Sequence, residues 1–239
     1  MFGITLAVLL SLSFLLPAQP AQAKVLRESY LGIAKDDSGK GSYQERHQVE
    51  FANNRVQTAR TTYANSDGKV IGELTSDFRK MITTPEYSYK DLRDQSSHGI
   101  RIDGNQLIVW RQNKGAEREE KSFARDEFDP EALIVGCQGL HYYLIDHLDE
   151  LRKKKEIPIK YLMPGKLDYY SFTLKMNGED EKNIYIKITI DNIILRLLTS
   201  SLELQYSKAD RRLVKYSGLS NITNDQGQIQ QVVIDYAYK

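Results

Sequence analysis

Residues Gly139–Lys155 read GLHYYLIDHLDELRKKK. The apolar residues recur at helical spacing and form one stripe, which comprises Leu140, Tyr143, Leu144, Leu148 and Leu151. The cations Arg152–Lys155 fall in the last turn, where positive charge favours the negative end of the helix dipole. Pro158 follows shortly, as is common after a helix end. We therefore predict one amphipathic helix over Gly139–Lys155.

Before this helix, apolar and polar residues alternate with the period of a strand that has one buried face. This pattern predicts the following strands: Val25–Ile33, Ser42–Phe51, Arg55–Tyr63, Lys69–Thr75, Tyr87–Leu92, His98–Ile102, Gln106–Arg111 and Glu117–Phe123. Asn53-Asn54, Asp67-Gly68 and Asp103-Gly104 are suited to tight turns. Because short turns join consecutive strands, we expect these strands to pair antiparallel as a meander.

The alternating pattern returns after the helix. It predicts the strands Ile157–Met163, Asp168–Met176, Asn183–Ile190, Leu202–Tyr206, Leu213–Tyr216 and Ile229–Tyr238. The short run Ile193–Leu198 fits a helical turn or a buried strand equally well. A sheet of this size must bury one face, and a single helix is its natural cover. We therefore predict a mainly β (α+β) fold: a curved antiparallel sheet or open half-barrel, partly covered by one amphipathic helix.

The composition is that of an ordinary globular protein. The 239 residues include 33 Lys and Arg against 32 Asp and Glu, with 41% apolar residues and one Cys. Disordered, collagen-like and disulfide-framework proteins are excluded by these values. A net charge of +1 provides no overall positive electrostatic potential to attract nucleic acid, so we predict no nucleic-acid partner.

The N-terminus has the pattern of a secretory signal. An apolar run covers Ile4–Leu16, and Ala21-Gln22-Ala23 places small residues before a cleavage point. No Lys or Arg precedes the run, which is unusual for a signal peptide. The alternative is a retained membrane anchor, but about 20 apolar residues are needed to cross a bilayer, and this run is shorter. We predict a signal peptide over 1–23 and a single antiparallel β half-barrel-like domain over 24–239. The mature protein is expected to be periplasmic or secreted and to have no transmembrane segment.

Two segments resemble a group of uncharacterised exported bacterial proteins. The first is LIVGCQGLHYYLIDHLDELRKKKEIPIKYLMPGKLDYYSFTLK over Leu133–Lys175, and the second is LVKYSGLSNITNDQGQIQQVVIDY over Leu213–Tyr236. The resemblance implies the open half-barrel of the lipoprotein carriers (LolA/LolB-like). Cys137 and Gln138 depart from the pattern, which has a small residue or Gly-Pro there. Since the group has no assigned activity, the resemblance bears on fold rather than on function.

Cys137 and His141 are the candidate catalytic residues. They lie four residues apart and would share a face of a helix, so His141 could activate the thiol as a nucleophile. With His147 they could also bind zinc, but His147 points to another side of a straight helix. The alternative is a buried structural cysteine and ordinary histidines. We predict no metal site, because no further CxxC or HxxxH pattern supports one. We also predict no cofactor: Gly39–Ser42 lacks the first glycine of a phosphate-binding loop and is interpreted as a hairpin loop.

Aromatic residues on the C-terminal strands suggest a binding surface. If the helix leaves the concave side open, an apolar groove remains for an acyl chain or a hydrophobic protein segment; if the helix fills it, these residues are core. The candidate ligand-binding residues are Tyr143, Leu144, Tyr161, Tyr169, Phe172, Tyr185 and Tyr216.

The sequence thus favours an exported cell-envelope protein of unassigned activity. The leading hypothesis is a non-catalytic binding or carrier domain for an apolar or lipid-like ligand. The alternatives are a hydrolase that uses Cys137 and His141, and an adaptor whose sheet edge pairs with another envelope protein.

Overall fold

The computed structural model describes residues 25–192, 202–224 and 226–238. The predicted signal segment 1–23 and the run Ile193–Leu198 lie outside the described residues. Within them the chain forms fifteen strands and one α-helix, with 3₁₀ turns at Arg125–Glu127 and Pro164–Lys166.

The strands before the helix follow the predicted series closely. They are β1 Val25–Lys35, β2 Gly41–Ala52, β3 Arg55–Asn65, β4 Val70–Asp77, β5 Glu86–Asp91, β6 Ser97–Asp103, β7 Gln106–Gln112, β8 Glu119–Ala124 and β9 Leu133–Gly136. Helix α1 covers Gly139–Lys154. The later strands are β10 Glu156–Met163, β11 Asp168–Glu179, β12 Asn183–Ile190, β13 Leu202–Ser207, β14 Leu213–Leu219 and β15 Gln231–Tyr238.

All fifteen strands belong to one sheet. Its order is β8-β7-β6-β5-β4-β3-β2-β1-β15-β14-β13-β12-β11-β10-β9. The first and last strands in sequence meet at its centre, where Tyr30 pairs with Tyr238 and Lys35 with Val233. Neighbouring strands are antiparallel except β9 and β10, which are parallel. The mainly β fold and the meander of β1–β8 are confirmed; β9 was not predicted.

The sheet is rolled. Strand β10 is buried on both faces, since Ile159 and Leu162 belong to two different hydrophobic clusters. Strand β9 reaches across to the loop between β4 and β5, where the Gly136 amide donates to Thr83 O over 2.9 Å and Thr84 Oγ1 donates to Ile134 O over 3.0 Å. The β9 end of the sheet therefore folds back onto the β4–β5 loop, as expected of a half-barrel that curls on itself.

Two buried clusters fill the roll. The leucine cluster lies between α1 and the C-terminal strands and comprises Val135, Leu140, Leu144, Leu148, Leu151, Ile157, Ile159, Leu174, Ile184, Ile186, Ile188, Leu204, Tyr206 and Leu213. The tyrosine cluster is built mainly from the inner faces of β1–β8 and β15, and comprises Ala34, Tyr43, Tyr63, Ile71, Leu74, Tyr87, Tyr89, Ile100, Ile102, Leu107, Val109, Phe123, Phe128, Leu162, Ile222, Val232 and Ile234.

Helix α1 is enclosed on two sides. Its leucines join the leucine cluster, while Tyr142 packs with Phe78 of the segment after β4 and with residues of β2 and β3. This corrects the predicted stripe: Tyr142 is buried, whereas Tyr143 is half-buried and stacks on His147 with ring centroids 4.1 Å apart. A helix inside a roll buries a wider arc than one lying on a sheet. No helix among the described residues has the length and apolar content needed to cross a bilayer.

Candidate functional site

Four of the predicted ligand-binding residues lie together in the interior. Leu144 is fully buried in the leucine cluster. Tyr161 of β10 and Phe172 of β11 pack against the same cluster, with ring centroids 6.2 Å apart. Tyr216 contacts both large clusters, and its hydroxyl donates to Leu219 O over 2.6 Å. The structure therefore gathers part of the predicted set beneath α1.

The other predicted residues differ in position. Tyr143 is half-buried on α1, stacks on His147 and packs against the margin of the leucine cluster. Tyr169 lies three residues before Phe172 and therefore on the opposite face of β11. The centroid of its ring is 5.4 Å from that of Phe123. Tyr185 is on the face of β12 opposite its buried isoleucines and donates to Asp180 Oδ2 over 2.7 Å. Tyr169 and Tyr185 therefore do not line the interior beneath α1.

Cys137 lies in the turn between β9 and α1 rather than on the helix. Its backbone is left-handed, with a φ of 47°, so the spacing argument that placed it on one helical face with His141 does not hold. The turn is tight because Gly139 follows: a Cβ at Gly139 would lie 2.0 Å from Thr83 O. Burial raises the pKa of the Cys137 thiol to about 12, which is the opposite of what a nucleophile needs.

His141 is engaged with a different partner. Its Nδ1 lies 3.0 Å from Tyr206 Oη, and the two rings stack. Burial lowers the pKa of His141 to about 3, so the imidazole is neutral. Among the hydrogen bonds of residues 25–192, 202–224 and 226–238, none joins Cys137 to His141. The described part of the chain also has no group of three or more His, Cys, Asp and Glu side chains arranged to hold a metal ion.

The interior holds a polar site that the sequence analysis missed. Glu45 and His47 of β2 have side chains only 9% and 7% exposed. They are two residues apart on one strand and share the inward face with Tyr43 and Val49. The available signal was the alternation itself, because a Glu and a His occupy the apolar phase of this strand.

Hydrogen bonds extend from Glu45 across the sheet. Tyr236 Oη donates to Glu45 Oε2 over 3.1 Å, and His47 Nε2 lies 2.9 Å from the same oxygen. On the far side of the ring, His47 Nδ1 lies 2.9 Å from Thr61 Oγ1. Gly32 separates Tyr236 from Glu45 in the sheet and leaves room for their contact: a Cβ at Gly32 would lie 2.8 Å from Tyr236 Cε1 and 3.1 Å from Glu45 Oε2.

The same chain of bonds reaches the start of α1. Gln138 Nε2 donates to Thr61 Oγ1 over 3.1 Å, and Ser76 Oγ donates to Gln138 Oε1 over 3.0 Å. The polar chain from Glu45 therefore continues through His47 and Thr61 to Gln138.

The order Thr61–His47–Glu45 resembles a hydroxyl–imidazole–carboxylate triad. Thr61 is 0% exposed, however, so a substrate cannot reach its hydroxyl in this conformation. The arrangement is suited to hydrogen bonding and electrostatic recognition rather than to nucleophilic attack.

A polar groove of about 620 Å³ lies on strands β2–β6. Its acidic side chains are already paired, Glu50 with Arg27, Asp77 with Arg79 and Glu86 with Lys80. Exposed pairs of this kind contribute little to binding energy. We therefore place the candidate site in the interior, between Glu45 and the leucine cluster.

Comparison with known proteins gives a likeness of fold. Neither a protein-family model nor a curated protein sequence matches the chain. Among solved structures, the β-barrel-like protein of the domain of unknown function DUF1849 from Brucella abortus superposes with a TM-score of 0.51 at 7% identity, over 89% of this chain and 98% of that one. A LolA superfamily protein from Nitrosomonas europaea gives a TM-score of 0.23 at 8% identity, over 90% and 84% of the two chains, and no argument rests on it. The resemblance to uncharacterised barrel-like proteins is confirmed at the level of the fold.

Proposed function

We propose that this protein, a rolled β-sheet around one helix, is a non-catalytic binding or carrier protein of the bacterial cell envelope. It is exported by the segment 1–23, and its ligand is apolar or lipid-like. The ligand occupies the space between α1 and the strands that α1 covers. The observation that carries this proposal is the leucine cluster, in which the aliphatic side chains of the strands are covered by the single helix α1.

The leucine cluster offers mainly apolar contacts and few polar groups. Strands β10–β13 contribute isoleucines and leucines to it, and the inward residues of β12 are all isoleucine up to Ile188. Such a surface suits an acyl chain, because the gain from apolar contact is non-directional. Pockets for small ligands have this character, with only a few polar groups.

In the described conformation the space is filled by α1 itself. Leu144, Leu148 and Leu151 are between 0% and 1% exposed. A ligand must therefore replace the helix. With Leu140, α1 contributes four leucines to the cluster, and their exposure would cost about 6–12 kcal/mol. Burial of an acyl chain of about 12 methylenes contributes about 10 kcal/mol, at ~0.8 kcal/mol for each methylene. The free energy gained by burying the chain is therefore close to the free energy lost by exposing the helix leucines.

The helix is attached in a way that permits this exchange. Left-handed residues flank it at both ends, Cys137 with a φ of 47° and Lys155 with a φ of 68°. Within it, His147 departs from helical geometry, with a φ of −118° and a ψ of 15°. For α1 to move away from the strands, backbone rotation would have to occur at these positions, because hinges are usually residues at the ends of elements.

The experiment is native mass spectrometry of protein exported from its full-length gene and purified from the periplasm, followed by lipid extraction. We expect a fraction of the protein to carry a bound amphiphile. Leu144→Ala makes room in the leucine cluster and is expected to raise that fraction. Leu107→Ala is the matched control, since Leu107 is equally buried but belongs to the tyrosine cluster.

A folded protein that is empty in the wild type and in Leu144→Ala would overturn the proposal. An equal rise in Leu107→Ala would show general loosening instead of a site beneath α1. Export is tested separately: deletion of residues 1–23 should leave the protein in the cytoplasm.

The adaptor role remains a prediction. Strand β8 ends the sheet and so has one unpaired edge among the described strands. Its Glu119, Glu120 and Lys121 side chains are paired with groups of the same chain. Charged residues on an edge strand disfavour pairing with another chain, so we place the carrier role first.

A further inference from the structure

We propose that the C-terminal end of α1 docks on a membrane that contains anionic phospholipids and that this contact loosens α1. The inference rests on the proposed carrier function, since it names how the helix over the ligand space is released. It is carried by a groove, by an excess of cations around that groove, and by the ion pairs that hold α1 to the sheet.

A groove of about 490 Å³, the basic groove, lies where α1 ends. Its lining comprises Asp149, Arg152, Lys153, Lys155, Met176 and Glu179. Met176 also packs against the leucine cluster. The basic groove therefore adjoins the space proposed for the acyl chain, and α1 contributes to both.

Cations outnumber carboxylates around the basic groove. The lining contributes two carboxylates, those of Asp149 and Glu179. Among the described residues, the lining and its ion-pair partners contribute five cations: Arg152, Lys153, Lys155, Lys208 and Arg211. The negative end of the helix dipole, equivalent to about half a charge, offsets only part of this excess. A local excess of positive charge attracts an anionic surface.

Two of these lysines are available to an external partner. Lys153 and Lys155 are exposed, and within residues 25–192, 202–224 and 226–238 neither forms an ion pair. Lysine and arginine side chains near a bilayer are attracted to anionic lipids over about one Debye length. Arginine also binds phosphate through paired hydrogen bonds. The groove thus combines the side chains that suit a phospholipid headgroup.

The same cations hold α1 to two hairpins. Arg211, in the turn between β13 and β14, donates to Asp149 Oδ2 over 2.6 Å and to Ile145 O over 3.3 Å. A nitrogen of Arg152 lies 2.7 Å from an oxygen of Glu179, at the end of β11. The four charged side chains are between 38% and 56% exposed. Because exposed pairs contribute little stability, lipid phosphates that compete for the two arginines would free this half of α1.

Vesicle flotation tests the docking. Vesicles of equal parts phosphatidylglycerol and phosphatidylcholine should carry the protein upward in a density gradient, and vesicles of phosphatidylcholine alone should not. Binding should weaken as the salt concentration rises. The double variant Lys153→Gln, Lys155→Gln should bind about thirtyfold more weakly, the usual contribution of two lysines near a membrane. The matched control is Lys90→Gln, Lys114→Gln, which changes two exposed lysines outside the groove and should retain the affinity.

Hydrogen exchange tests the loosening of α1. Amides of α1 should exchange about tenfold faster with the mixed vesicles than with phosphatidylcholine vesicles. Arg211→Gln should accelerate exchange in α1 without vesicles, because it removes both bonds from the β13–β14 turn. Arg212→Gln is its control, since Arg212 is the next residue but pairs with Glu28 and Asp210 instead of α1.

The outcomes separate this inference from the carrier function, because flotation needs no bound ligand. Equal binding to both kinds of vesicle, or unchanged binding in the Lys153 and Lys155 variant, overturns the docking surface. Docking without faster exchange in α1 overturns the release. Binding of polyglutamate together with no binding to vesicles would assign the groove to an acidic protein and overturn the inference as well. Protein that docks on the mixed vesicles but is isolated without any amphiphile would instead count against the carrier function.

Discussion

The chemistry of single residues in the interior is governed by burial. The Cys137 thiol packs against the tyrosine cluster, and burial raises its pKa to about 12. At pH 8 the thiolate fraction is then about 10⁻⁴. Since the thiolate is the reactive form, Cys137 is expected to be inert in the folded protein.

Thiol labelling tests this expectation. Folded protein treated with iodoacetamide at pH 8 should remain unmodified over hours, and protein unfolded in guanidinium should be modified at one site within minutes. Intact-mass spectrometry gives the readout, with Cys137→Ala as the control that stays unmodified in both conditions. Rapid labelling of the folded protein would favour the hydrolase hypothesis.

Residue patterns in the sequence located faces but not partners. The alternation of β12 correctly separated its isoleucines from Tyr185, and the same alternation on β2 placed Glu45 and His47 on the apolar face. What the pattern lacks is the information that Tyr236, nearly two hundred positions away, completes the Glu45 site. The prediction from the Cys137–His141 spacing was wrong for a local reason. Cys137 lies in a left-handed turn before the helix, so a separation of four residues does not place the two side chains on one helical face.

At the scale of elements, α1 is the centre of the packing. Leu148 is 1% exposed at the middle of the leucine cluster. Leu148→Ala should lower the free energy of unfolding by about 2–5 kcal/mol, the usual effect of a cavity in a packed core. Urea denaturation measures the change.

Leu26→Ala provides the matched control on β1. Leu26 is 56% exposed, so its truncation should alter the free energy of unfolding by less than about 0.5 kcal/mol. Equal losses in the two variants would contradict the proposed role of α1 as the packing centre.

Elements long enough to show a repeating pattern of apolar residues could be predicted, and short elements could not. Helix α1 was predicted to within one residue because five apolar positions repeat over its length. Strand β9 has only four residues, Leu133–Gly136, too few for an alternation to be recognised. Its parallel pairing with β10 depends on the helix that connects them, which is the usual requirement for a parallel pair.

At the scale of the molecule, the sheet has strong and weak regions. Strand β1 is hydrogen-bonded on both sides, to β2 and β15, whereas β8 is bonded only to β7. The ends are joined by side chains, among them the Lys121–Asp168 pair at 3.0 Å and the Phe123–Tyr169 contact. The Lys121–Asp168 pair is exposed and contributes little stability, whereas Phe123 is buried in the tyrosine cluster.

Hydrogen exchange should reveal this gradient. We expect amides of β8 to exchange orders of magnitude faster than those of β1 and β2, because local opening of an edge costs less than global unfolding. Peptide-resolved mass spectrometry provides the measurement. Equal protection of β8 and β1 would mean that the sheet is closed by more than the side-chain contacts described.

The overall roll could be predicted only in outline. Alternation and turns indicated a large antiparallel sheet with one helix, which is confirmed. The pairing of β1 with β15 and the burial of β10 on both faces depend on contacts between residues far apart in the sequence. No local pattern carries that information, so the sequence left open whether the concave side was filled.

The central pairing of β1 with β15 also sets the order of events in biogenesis. The pairing at the middle of the sheet cannot form until β15 has been synthesised, and such non-local pairing slows folding. Under the proposed export, the nascent polypeptide would remain loosely structured while it threads through a secretion channel. Because β1 and β15 are neighbours, circular permutants that link β15 to β1 and open a hairpin loop should also be tolerated.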